Sequence, residues 1–218
     1  MVIEQGHLAV KLAGAAKEMG VALDEPILTR FVGFVSLLRK WNRVHNLTAL
    51  TDESEILTHH LLDSLSVVPF ISGVRCLDVG SGAGLPGIAL ALCNPGQDWT
   101  LVESRGKKAS FLREVTARLK LDNVTVFAGR IEDYRPDGNF DTLVARAVAS
   151  LASLFNMTDH LLHHHLRLIA MKGTHPQAEL DALAPAQRLA ARGIPVTVPG
   201  LLAQRHLVVL DGLPGGPT

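Results

Sequence analysis

The chain has 218 residues, 47% of them hydrophobic and 19% charged, which is enough material for one well-buried core with a small appendage. Twenty-one basic residues balance twenty-one acidic ones, so net charge gives no footprint of a nucleic-acid binder and any such footprint has to be a local patch. No apolar run approaches the roughly 20 residues of a membrane span, and the stretch MVIEQGHLAVKLAGAAKEMG lacks the layout of a secretion signal. The expectation is a soluble, cytoplasmic protein with two reduced cysteines, Cys76 and Cys93.

In the stretch that opens at Glu25, Ile27, Phe31, Phe34, Leu38 and Trp41 recur at three- and four-residue steps, which predicts an amphipathic helix. Pro26 suits its first turn, and Asn46, Leu47 and Thr48 supply the stop. A second helical segment over about 53–68 ends before Pro69, so residues 1–70 read as a helical lead. From about Val74 the texture changes. Short apolar runs at 74–79, 98–102, 123–128, 140–145, 165–171, 194–198 and 205–210 alternate with helical patterns at 86–93, 106–120, 149–162 and 176–192. That alternation predicts an α/β domain over residues 71–212, with a mainly parallel seven-stranded sheet and helices on both faces. The link between IPVTV and RHLVVL is too short for a crossover helix, so an antiparallel pair should close one edge. Residues 213–218 read as a flexible tail.

The first strand runs into DVGSGAGLPG, Asp78 to Gly87. Missing Cβ atoms let a backbone take up positive φ and approach a ligand closely, and the next helix start presents unpaired N–H groups, with Pro86 suited to that start. Gly82, Gly84 and Gly87 spell the dinucleotide pattern GxGxxG, with Glu103 near the offset of a ribose-binding acid. On that reading the protein is a nicotinamide-dependent oxidoreductase. However, Gly80 and Ser81 separate the pattern from the strand. Asp78, Gly80, Gly82 and Gly84 instead give DxGxGxG, which resembles the first motif of class I S-adenosylmethionine-dependent methyltransferases, with Glu103 then bonding both ribose hydroxyls. A methyltransferase for a small molecule or a protein fits this turn as well as one for RNA.

KWNRVHNLT (Lys40 to Thr48), HHLLDS (His59 to Ser64), the LPG ending of the turn, LVESRGKKASFL (Leu101 to Leu112), FDTLVARAVASL (Phe140 to Leu151), MKG (Met171 to Gly173) and RHLVVL (Arg205 to Leu210) follow one another in order. Together they are similar to the bacterial ribosomal RNA small-subunit methyltransferase G family, also called glucose-inhibited division protein B. The resemblance implies a Rossmann-like class I fold. It also implies transfer of a methyl group from S-adenosylmethionine to N7 of a guanine in the decoding-region loop of 16S ribosomal RNA, leaving S-adenosylhomocysteine. The partner would be 16S RNA or the small ribosomal subunit, with no membrane and no need for more than a monomer. The family's cofactor contacts fall here on Gly80 and Leu85, Glu103 and Ser104, Ile131 and Glu132, and Arg146. His163, His164 and His165 stand where many relatives have Pro-Gly-Gly. Adjacent residues point in different directions and do not converge on one ion, so no metal is expected.

The residues also narrow the acceptor without the family. VARAVASL stands where amino-group methylases carry an Asn/Asp-Pro-Pro-aromatic loop, and neither cysteine is placed to attack a pyrimidine carbon. Guanine N7 carries an in-plane lone pair, so its methylation requires positioning and no general base. Arg146 and Lys172 follow the fourth and fifth strands, where a cation would meet the guanine oxygen beside N7; Arg146 would orient guanine or close over the cofactor, and Lys172 would face the RNA. Residues 104–120 carry Arg105, Lys107, Lys108, Arg113, Arg118 and Lys120 against Glu114 alone. With Arg39, Lys40 and Arg43 they form the candidate RNA-docking surface, Arg118 and Lys120 being read as solvated. Phe31, Phe34 and Trp41 are assigned to packing; His45 and His60 are read as structural or RNA-proximal.

Overall fold

The structure is a computed structural model that describes residues 2–148 and 150–212. The tail at 213–218 lies outside the described residues.

The lead is three helices: α1 (Val2–Glu18), α2 (Glu25–His45) and α3 (residues 53–65). Asp24 caps α2 by accepting the Ile27 N–H at 2.9 Å, Pro26 sits in the first turn, and Asn46 closes the helix in the left-handed conformation at φ 48°. Phe31, Phe34 and Leu38 are buried, as their spacing predicts, and the Trp41 ring lies against Phe111 with centroids 5.6 Å apart. α3 is capped by Asp52, and its middle, Ile56–Leu62, widens into a π-helix. The helix expected over 53–68 stops at Leu65, and a tight turn containing Pro69 follows at Val68–Phe70.

Seven strands follow: β1 (Arg75–Val79), β2 (Asp98–Glu103), β3 (Val124–Ala128), β4 (Thr142–Arg146), β5 (Arg167–Lys172), β6 (Ala191–Val196) and β7 (Arg205–Leu210). Between them run α4 (Gly87–Cys93), α5 (Gly106–Leu119), α6 (Leu151–Thr158), α7 (Gln177–Asp181) and α8 (Pro185–Ala190). The strands lie in one sheet in the order β3-β2-β1-β4-β5-β7-β6, parallel through β5, with β7 antiparallel to both β5 and β6. The parallel sheet and its antiparallel edge are those the sequence predicts.

The pattern at 176–192 predicts one helix, but the chain breaks it in two. Ala184 is extended at ψ 149° because Pro185 follows, and Pro185 then starts α8. Residues 191 and 192 leave the expected helix and join β6, paired from Ala191 with Leu210 to Val196 with Arg205. The strand expected at 194–198 therefore starts three residues earlier and ends two earlier. Pro195 is tolerated there because β6 is an edge strand.

Period-two alternation divides the core between two faces. Cys76, Val144, Ile169, Leu207 and Val209 face a cluster shared with Leu12, Phe31, Phe34, Leu61, Ile88 and Phe111, so the lead, α4 and α5 cover one side. Leu77, Leu143, Leu168, Val208 and Leu210 face α6 on the other. The lead is thus packed into the same core as the sheet, which brings α3 to the carboxyl edge of the strands.

Candidate active site

β1 pairs with β2 on one side and β4 on the other, so strand order reverses beside Asp78 and Val79. Ligands of open α/β sheets bind at that edge. Gly80, Gly82 and Gly84 all have positive φ, at 72°, 58° and 82°, values that side chains with a Cβ rarely take. A Cβ on Gly80 would come no closer than 3.7 Å to any heavy atom, that of Val148, so this glycine leaves room at the edge. One on Gly84 would stand 2.7 Å from Ile88 Cγ1, so that glycine serves close packing.

Glu103 ends β2 and is 5% exposed. Its Oε2 accepts the Gly82 N–H at 2.8 Å and its Oε1 the Arg105 N–H at 2.7 Å. Each carboxylate oxygen retains a second acceptor site, so Glu103 can hold the turn and still receive ligand hydroxyls. Asp78 is fully buried beneath the turn; its Oδ2 accepts the Gly87 N–H at 3.0 Å. The donor expected to face a ligand at this helix start is therefore used inside the protein. Asp78 Oδ1 is buried with no hydrogen-bond partner. Burial pushes the Asp78 carboxyl up to about 6, opposed by the Gly87 bond and the Arg146 charge. Leu85 packs into the core under the turn, and Ile131 is buried in the short turn after β3, while Glu132 and Ser104 are exposed beside them. These residues fit a ribose-bearing cofactor: a turn without side chains, a carboxylate with acceptor capacity, and a further acid at the base.

Arg146 ends β4. Its Nη1 donates to the His59 carbonyl at 3.1 Å and lies 3.4 Å from Asp63 Oδ2, both on α3. Burial lowers its pKa, and the Asp63 and Asp78 carboxylates oppose that shift. The next residue, Ala147, is held at φ 53°, a left-handed conformation that costs a non-glycine residue about 1–2 kcal/mol. Strained backbone of this kind concentrates at functional sites. Lys172 ends β5 and donates to Glu179 Oε2 at 2.8 Å. The same oxygen accepts the Leu151 N–H at 2.7 Å, so Glu179 ties α7 to the start of α6.

A family profile described as rRNA small subunit methyltransferase G matches residues 27–208. The chain belongs to the rRNA small subunit methyltransferase G family. A protein of that name from Methylobacillus flagellatus is 45% identical over 202 residues, covering 92% of this chain and 96% of its own. One from Pseudomonas aeruginosa is 46% identical over 205 residues, covering 94% and 95%. Among solved structures, a mutant of MtNAS in complex with S-adenosylmethionine superposes with a TM-score of 0.54 at 18% identity, over 96% of this chain and 97% of that one. That likeness is one of fold.

The methyltransferase G resemblance read from the motifs is thus borne out. Of the basic residues set apart for RNA, Arg105, Lys107 and Arg113 are exposed, and Lys108 Nζ lies 3.8 Å from where a Cβ on Gly82 would stand, next to the glycine turn. Arg39 and Arg43 line a cleft of about 940 Å³ between α1, α2, the loop at 46–52 and the start of α3, and Lys40 is exposed beside them. Arg39 also pairs with Glu53 at 3.4 Å. Arg118 pairs with Glu114 one helical turn away. His163 Nε2 bonds the Phe140 carbonyl at 2.9 Å, while His164 and His165 are exposed. Asp63 and Arg205 were not singled out in the sequence; the structure brings both Arg146 and Arg205 to the Asp63 carboxylate, and although HHLLDS and RHLVVL contain these residues, their spacing along the chain gives no hint of the contact.

His60 is buried behind Arg146. Its Nδ1 faces the His59 carbonyl at 3.2 Å, which can only accept, so Nε2 accepts from the Thr48 hydroxyl at 2.8 Å. Burial, aided by the Arg146 charge, pushes its pKa down from 6.5 to about 4. A base whose folded pKa is depressed contributes stability that is full above pH 6.5 and is lost as pH falls towards 4. Asp78 acts with the opposite sign: its pKa is raised, so its contribution is full below its ordinary 3.8 and is lost as pH rises through about 6. The His60→Gln variant keeps a polar partner for Thr48 and does not titrate. Its melting temperature should fall less than the wild type's between pH 7 and pH 5, as read by circular dichroism.

Proposed function

We propose that this protein transfers a methyl group from S-adenosylmethionine to N7 of a guanine in the decoding-region loop of 16S ribosomal RNA, acting in the bacterial cytoplasm with the whole site on a single chain. The observation that carries this is the joining of the glycine turn to Glu103 through Gly82 at 2.8 Å, beside Arg146 at the neighbouring strand end, in a chain matched to its family over residues 27–208. The cofactor, when bound, supplies an electrophilic methyl group on a sulfonium. Gly80, Gly82 and Gly84 would admit it, Glu103 would take the ribose hydroxyls, and Ile131, Glu132 and Ser104 would border the base, with Leu85 and Asp78 supporting the turn from below.

The acceptor nitrogen is nucleophilic without losing a proton, and the residues at this edge suit positioning rather than base catalysis. Arg146 is placed to hold the guanine oxygen beside N7. Cytosine or uracil C5 chemistry would need a thiolate, but burial pushes both Cys76 and Cys93 up to about 12. Lys172 is drawn to Glu179 in this structure, and its part is to set the strand edge that the RNA approaches.

S-adenosylhomocysteine should raise the melting temperature of the purified protein in proportion to the logarithm of its concentration, and NAD should leave it unchanged. Stabilisation by NAD alone would turn the assignment to an oxidoreductase. The basic surface makes a separate prediction. Each phosphate contact to single-stranded RNA adds about 0.7 to the slope of log affinity against log salt. The Lys107→Glu/Lys108→Glu protein should therefore bind 16S RNA more weakly, with a slope shallower by about 1.4. An unchanged slope in filter binding removes these lysines from the RNA surface.

A further inference from the structure

Arg146 and Arg205 stand at the carboxyl edge of the sheet on β4 and β7, separated by β5, and both reach the same carboxylate on the lead. Asp63 Oδ1 accepts Arg205 Nε at 2.9 Å and Oδ2 lies 3.4 Å from Arg146 Nη1. Asp63 is 7% exposed and the two arginine side chains 19% and 20%. One acid thus faces two part-buried cations, and Arg205 acts on Arg146 by repulsion.

Arg146 uses Nη1 for its bonds to α3 and, among the described residues, makes none through Nε or Nη2. A guanidinium carries five donors in a fixed fork. Holding it by one corner fixes the plane and leaves the other donors for a ligand. The His59 carbonyl that holds the same corner belongs to the π-helix Ile56–Leu62, a distortion that is rare and frequent at functional sites. Asp63 itself is too buried to touch RNA.

We infer that Asp63 is a positioning residue for methyl transfer, fixing the Arg146 guanidinium at the switch point and coupling it to Arg205 across β5. This rests on the assignment of Arg146 to the acceptor guanine. Displacing a positioned group by about 1 Å can cost about 100-fold in rate.

The test compares wild type, Asp63→Asn, Arg146→Ala and the double variant. For each, kcat and KM for 16S RNA are measured with the dissociation constant of S-adenosylhomocysteine by calorimetry and the melting temperature. Asp63→Asn should lower kcat by about 10- to 100-fold, leave KM and S-adenosylhomocysteine affinity within about threefold, and cost nothing further in the Arg146→Ala background. Effects of the two substitutions that multiply, or a loss of cofactor affinity and melting temperature at unchanged kcat, overturn the proposal. Should Asp63→Asn not fold, Asp63→Glu keeps the charge and displaces it by one methylene; lowered kcat at retained cofactor affinity supports the proposal and unchanged kcat overturns it. The two assignments separate cleanly. Wild-type kcat in Arg146→Ala removes the role of Arg146, whereas a slow Arg146→Ala beside a fast Asp63→Asn keeps Arg146 and rejects Asp63.

Discussion

Replacing Gly87 by alanine is expected to lower the melting temperature by roughly 6–12 °C and to weaken S-adenosylhomocysteine binding with it. Gly87 is the last glycine of the turn and is buried. A Cβ there would overlap the Leu101 side chain and the Asp78 carboxylate, neither of which has room to retreat, since both are fully buried. Overpacking of this kind costs about 1–3 kcal/mol. Displacing Asp78 also removes the acceptor of the Gly87 N–H, about 1–3 kcal/mol more for a donor left unsatisfied. A total of about 3 kcal/mol gives the stated shift, at 2–4 °C per kcal/mol for a chain of this size. Gly106 is the control, because a Cβ there meets nothing within 4 Å and alanine at this helix start should be neutral or mildly stabilising. A Gly87→Ala protein with the melting temperature of wild type would show that Gly87 does not set the turn.

The second large effect is expected at Glu103. In Glu103→Gln one of the two oxygens that accept the Gly82 and Arg105 N–H groups becomes an amide nitrogen, setting donor against donor. Hydrogen bonds to a charged group contribute about 1.5–3 kcal/mol each, and the same substitution removes an acceptor assigned to the ribose. The dissociation constant of S-adenosylhomocysteine should rise by about 100-fold, equivalent to about 2.8 kcal/mol. Calorimetry showing a change below threefold would place the cofactor elsewhere.

Much of this was legible in the residues. RHLVVL is β7 to the residue, and the turn after β1 announced itself because Gly80, Gly82 and Gly84 occupy backbone conformations that other residues rarely take. Glu103 was found by its offset along the chain, but its hold on Gly82 and Arg105 shows that the acid also builds the turn before any ligand arrives. The start of β6 was hidden by the helix-forming residues Ala191 and Arg192, which follow α8 directly; pairing with β7 overrode their propensity. The π-helix left no trace, since no periodicity distinguishes Ile56–Leu62 from an ordinary helix. Asp63 lies 83 residues from Arg146 and 142 from Arg205, and a contact of that range follows from how the lead packs on the sheet edge, which local spacing does not encode.

The lead packs on the sheet and reaches the ligand edge at once. α2 and α3 fill the core face beside α4 and α5, and in doing so they carry His59 and Asp63 to Arg146 at the ligand edge. The lead is therefore part of the site's construction as well as its surroundings.

The central claim is tested most directly by mass spectrometry of nuclease-digested 16S ribosomal RNA from cells of the source organism with and without this gene. One 7-methylguanosine in the decoding-region loop should be present in the parent, absent from the deletion strain, and restored by the intact gene; a deletion strain in which that guanine is still methylated would contradict the account.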